Sequence, residues 1–138
     1  MSFRIVEIMG AKPEGVVAKV SHQDHQLNAI LPNRRRDDLA VGTPFEAQIG
    51  FDQVLDWKTS EDFEDAKSGI WQEEDGIHLL GRVHSVLDYG DGKTIIDVYM
   101  QNGAEFFQVD AETIENDDLE PNSGLEIIVG NLYVSPID

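Results

Sequence analysis

Apolar and polar residues alternate along much of this chain. In Phe45-Glu46-Ala47-Gln48-Ile49-Gly50-Phe51-Asp52 every odd position is apolar and every even one is polar or glycine. A period of two buries one side of a strand and wets the other. Alternating or short apolar runs recur at residues 3–9, 15–21, 26–31, 77–87, 94–100, 105–109 and 125–134. Turn chemistry separates them. Asp88-Tyr89-Gly90-Asp91-Gly92-Lys93 predicts a hairpin, because Asp-Gly accepts the positive backbone dihedrals of a tight turn. Gln101-Asn102-Gly103 marks a second hairpin and His22-Gln23-Asp24-His25 a third, while Gly130-Asn131 interrupts the last run as a bulge or bend.

Helix signals are few. Residues 59–67 offer Thr59 or Ser60 as an N-cap, with Glu61 and Asp62 at the positive end of the dipole, and residues 110–119 admit another turn of helix. The fold class expected is mainly β: a single antiparallel barrel or sandwich with OB-like elements and one or two short helices. At 138 residues one compact domain suffices. Within it, Asp37-Asp38-Leu39 leading to Phe45–Gly50 parallels Asp117-Asp118-Leu119 leading to Leu125–Gly130. The echo suggests two similar β units, 1–57 and 70–138, joined by an acidic connector over 58–69; two independent uses of one strand–turn grammar explain it equally well.

Charge then limits the function. Ten basic residues face 27 acidic ones, a net of −17, and the excess lies late: residues 1–69 carry net −4 and residues 70–138 net −13. Such a surface repels phosphate backbones and anionic membranes, and draws in basic proteins. The only basic cluster, Arg34-Arg35-Arg36, is followed by Asp37 and Asp38 and has no basic strip around it. Neither nucleic acid nor membrane is expected as a partner. There is no cysteine, which excludes disulfides, thiolate metal sites and a thiol nucleophile. No apolar run reaches the ~18 residues of a membrane span, and Met1-Ser2-Phe3-Arg4 leads straight into strand-like sequence. A cytoplasmic protein, monomeric or weakly dimeric, is expected.

Chemistry-bearing motifs are missing. His22 and His25 flank Asp24 in a turn, yet two donors do not make a metal site and solvated turn residues are the simpler reading. His78 and His84 lie six residues apart on one strand, roughly 20 Å, too far to share a metal. The acidic loops match no EF-hand, and no nucleophile elbow, phosphate loop or zinc helix is present. No cofactor and no metal are expected, and an enzyme built on carboxylates or on His25 with Asp24 is the minority reading.

The leading expectation is a non-enzymatic acidic protein that neutralises a basic partner, such as an immunity protein or an inhibitor of a bacterial toxin or nuclease. The alternative is an OB-like module that binds a small molecule, oligosaccharide or peptide on a face lined by Tyr89, Tyr99, Trp57 or Trp71. Contact residues for the leading reading are Trp57 and Trp71 as aromatic anchors with Glu61, Asp62, Glu64, Asp65, Glu73, Glu74, Asp75, Glu112, Glu115, Asp117, Asp118 and Glu120 around them. A tryptophan beside a charged loop is as often a lid over the core. Phe106 and Phe107 point to opposite strand faces, so at least one meets a second layer or solvent.

Overall fold

The computed structural model describes residues 1–61, 63–64, 67–100, 103, 105–111 and 119–137. Among these, nine strands form: β1 (Ser2–Lys12), β2 (Gly15–His22), β3 (His25–Pro32), β4 (Pro44–Ser60), β5 (Gly69–Glu73), β6 (Gly76–Asp88), β7 (Thr94–Met100), β8 (Glu105–Asp110) and β9 (Gly124–Pro136). Backbone pairing runs β3-β2-β1-β4-β9-β6-β7-β8, with β5 on β6. The pairs whose registers are resolved are antiparallel except for one parallel contact, Ile30 with Tyr133. That contact makes the bonding ring-like, though not a clear barrel. Among the described residues no helix is long and apolar enough to cross a membrane.

The chain divides into two compact units, residues 1–53, 71–77 and 130–138 in the first and residues 54–70 and 78–129 in the second. In the first unit, β2 and β3 show how alternation becomes packing. Val16 faces Leu31, Ala18 faces Ala29 and Val20 faces Leu27, and all six are buried. His22 continues that parity, which overturns its expected place as a solvated turn residue. It is buried, stacks on Phe3 at 4.8 Å between ring centroids, and holds its Nδ1 2.8 Å from the Ser2 carbonyl oxygen. The turn itself forms as expected, with positive φ at Gln23 and Asp24 and His25 exposed.

In the second unit, β6, β7 and β8 form the antiparallel meander that the Asp-Gly turn predicts. Gly90, Asp91 and Gly92 all take positive φ there. Val83 pairs with Val98 and Val98 with Phe107, a row buried throughout. Gly81 lies against β7: a Cβ built on it stands 2.6 Å from the Tyr99 carbonyl oxygen and 2.7 Å from Val98 Cγ1.

The described residues of the segment 59–67 do not form the α-helix expected there. Thr59 and Ser60 are the last residues of β4, which runs on past a positive φ at Gln53. A nine-residue helix with only Phe63 and Ala66 to bury is too short to hold itself together, whereas strand pairing satisfies the backbone of Thr59 and Ser60. Of that segment Asp62, Asp65 and Ala66 lie outside the described residues. Of the second helix candidate, Asp110 closes β8 and residues 112–118 lie outside the described ones. No complete α-helix forms among the described residues; Arg36–Asp38 is a three-residue 3-10 turn.

Two measurements check this packing. Gly81→Ala forces a methyl group into the β6–β7 contact and is expected to destabilise the protein by about 1–3 kcal/mol, read from its denaturant midpoint. In the first unit the Tyr133 hydroxyl donates to Asp52 Oδ2 at 2.8 Å, beside Asn131, which donates to Asp52 Oδ1 at 2.7 Å. That hydrogen bond raises the Tyr133 phenol above its ordinary value of 10.0, with desolvation and then the charges of Asp52 and Glu14 adding to it. The folded chain therefore keeps a proton that the unfolded chain releases. This contribution to stability is present below pH 10 and is lost as pH rises through the raised value. Titration of tyrosinate absorbance is expected to show one late tyrosine, which Asp52→Asn moves earlier.

Candidate functional site

Cross-strand register places every other side chain of β6, β7 and β8 on the face opposite the buried valines. Tyr99 sits between Arg82 and Phe106, Asp97 between Ser85 and Gln108, and Ile95 between Leu87 and Asp110. Phe106 is 57% exposed and Leu87 38%, while Phe107 on the other side of β8 is buried, as opposite strand faces require. A bulge between Val83 and Ser85 leaves His84 as the extra residue, and its ring stacks on Tyr99 at 4.1 Å and 7°. Tyr99 meets Phe106 in turn at 6.1 Å and 51°. Three rings thus run across three strands.

Polar groups border the rings. Asp97 accepts from Ser85 Oγ at 3.2 Å and from Gln108 Nε2 at 2.8 Å, which fixes its carboxylate on this face with lone pairs to spare. Asp110 lies further along β8 on the same parity. Arg82, the cation of this row, is turned over the Phe63 ring at 5.6 Å from its centroid. Such a surface stacks a planar or cationic group on its rings and holds it by the adjacent carboxylates.

Of the residues singled out from the sequence, Tyr99 belongs to this face, while the described contact residues of the leading reading fall elsewhere. Trp57 is half-buried on β4, with Glu61 and Glu64 exposed beyond that strand and Glu120 exposed before β9, all in the second unit. Trp71 is half-buried on β5, and Glu73, Glu74 and Asp75 are exposed at the turn into β6, in the first unit. Asp62, Asp65, Glu112, Glu115, Asp117 and Asp118 lie outside the described residues. Tyr89, expected on a ligand-lined face, is 62% exposed in the β6–β7 turn.

The described carboxylates are exposed or half-buried with a single exception, Glu126, at 8%. Its Oε2 accepts from His78 Nδ1 at 2.9 Å and lies 3.6 Å from the Lys58 ammonium. A carboxylate can only accept, so the donor in this contact is the Nδ1–H of His78. The signal was present in the sequence: Leu125-Glu126-Ile127-Ile128-Val129 sets one charge inside an apolar run, and a buried charge calls for a partner. The Arg34-Arg35-Arg36 run leads into the 3-10 turn at Arg36–Asp38, with Arg35 and Arg36 exposed. Arg34 donates to the Pro136 carbonyl at 3.2 Å and the Arg35 amide donates to Asp38 Oδ2 at 3.1 Å.

Comparison of the chain with protein-family models, with curated proteins and with solved structures finds no match. Geometry alone therefore identifies the face. Because Phe106 is mostly in solvent, Phe106→Ala is expected to change folding stability by no more than about 0.5 kcal/mol, measured by denaturant unfolding.

Proposed function

We propose that this protein is a non-enzymatic acidic binding protein that neutralises a basic protein partner, as an immunity protein or an inhibitor of a bacterial toxin or nuclease does. The observation that carries the reading is the His84–Tyr99–Phe106 ring cluster beside Asp97, exposed on a chain of net charge −17. Binding energy concentrates in aromatic anchors surrounded by polar groups, and long-range charge sets the rate of encounter. An arginine of the partner suits both parts, since its guanidinium stacks on rings and pairs with carboxylates. The same reading places the protein in the cytoplasm as a monomer or weak dimer, its like charges opposing self-association.

An OB-like or barrel module that binds a small molecule, oligosaccharide or peptide is the second reading. Tyr99 favours it, being a ring on an exposed sheet face with Asp97 and Gln108 beside it to hydrogen-bond sugar hydroxyls.

An arginine-rich peptide and a panel of basic nucleases, titrated across a salt series, separate the two. On the leading reading affinity falls steeply with salt, and Phe106→Ala weakens binding by at least about tenfold at low salt, as expected of an interface anchor. Absence of binding to every basic probe at low ionic strength overturns the leading reading. Capture of a neutral glycan that Tyr99→Ala abolishes supports the second.

A further inference from the structure

A pocket of about 160 Å³ opens in the second unit, and its walls carry charge of both signs. Glu126 and Lys58 line it together with Thr59, Ser60, Glu64 and Lys67, and Phe63 and Leu80 supply an apolar side. The volume is well below the roughly 300–1,000 Å³ of sites for drug-sized ligands, so the occupant is small.

The polar groups of this pocket have capacity to spare. Both contacts of Glu126 fall on Oε2, and its Oε1 takes no hydrogen bond from a described residue. Lys58, 73% exposed at its side chain, has that carboxylate as its ion-pair partner. Of the four basic residues in the second unit, Lys58 and Lys67 line the pocket and Arg82 stands over its Phe63 wall, leaving only Lys93 elsewhere. Lys67 pairs with Glu64, another wall residue, at 3.9 Å, so Lys58, the cation beside Glu126, is the one suited to a ligand bearing a carboxylate. A buried carboxylate with an unused oxygen is suited to one bearing an ammonium.

We propose that this pocket binds a small zwitterion, a free α-amino acid with an apolar side chain, its ammonium on Glu126 and its carboxylate on Lys58. A Lys–Glu pair 3.6 Å apart is the inverse of the closely spaced ammonium and carboxylate of an α-amino acid, so the two ion pairs lie head to tail. One hydroxyl of the adjacent pair Thr59 and Ser60, whose side chains point to opposite sides of β4, donates to the ligand carboxylate, and the ligand side chain packs on Phe63 and Leu80. His78, behind Glu126, holds the carboxylate in place by the Nδ1 hydrogen bond and is a positioning residue. The pocket lies on the same side of β6 as the ring cluster, Leu80 coming two residues before Arg82, but it is argued from its own residues and does not rest on the basic-partner reading.

Amide chemical shifts of the isotope-labelled full chain test it, with L-leucine as the probe and two half-ligands, 3-methylbutylamine without the carboxylate and 4-methylpentanoate without the ammonium. Leucine is expected to shift Ser60, Leu80 and Gly124 in a saturable way, and each half-ligand to bind at least about tenfold more weakly. Lys58→Met alters an exposed side chain and leaves the fold intact; it is expected to weaken leucine at least about tenfold and to erase the preference for leucine over the amine. Glu126→Gln does the same for the preference over the carboxylate. Half-ligands equal to leucine, unchanged binding to Lys58→Met, or no shift at these residues at saturating leucine overturns the proposal.

Discussion

Cross-strand register is the constraint on which the rest of this molecule depends. Once Val83, Val98 and Phe107 share a buried row, Arg82, Tyr99 and Phe106 are forced into one row on the other side. A slip by one residue would exchange the two sets and expose the core. The ring cluster is therefore a consequence of folding, held by the same hydrogen bonds that bury the valines. The single irregularity in the β6–β7 pairing, the bulge that admits His84, is what completes the stack on Tyr99.

Much of this was legible in the alternation. Eight of the strands lie where apolar runs and turn residues placed them, and the hairpin at Gly90-Asp91-Gly92 follows from backbone dihedrals that glycine and aspartate tolerate. β5 was missed because Gly69-Ile70-Trp71-Gln72-Glu73 is short and ends in charge, with too few residues to show a period. The end of β4 was misread for a related reason. An N-cap at Thr59 or Ser60 and acidic residues at Glu61 and Asp62 are local signals, and they yield to strand pairing where the segment buries little of its own.

Site residues were legible where alternation decides and obscure where partners decide. Phe106 and Phe107 were separated correctly by parity alone. Tyr99 was singled out as a candidate ligand-facing aromatic, but its neighbours His84 and Phe106 come from other strands and only the register unites them. Glu126 illustrates the limit more sharply. In a chain with 27 acidic residues a single carboxylate attracts no notice, yet it alone among those described is buried, and its partners His78 and Lys58 lie 48 and 68 positions away in sequence. Charge composition pointed to a class of partner and was silent on where that partner would rest.

On the proposed basic-partner reading, the outer face of β6, β7 and β8 is the surface this protein uses to bind. Backbone amide hydrogen exchange, with and without a saturating arginine-rich peptide at low salt, tests it most directly. Added protection is expected to concentrate in β7 and β8, at Thr94–Met100 and Glu105–Asp110, and to be lost in Phe106→Ala. Protection confined to the meander of β1, β2 and β3, or spread evenly over the exposed carboxylates, would contradict it.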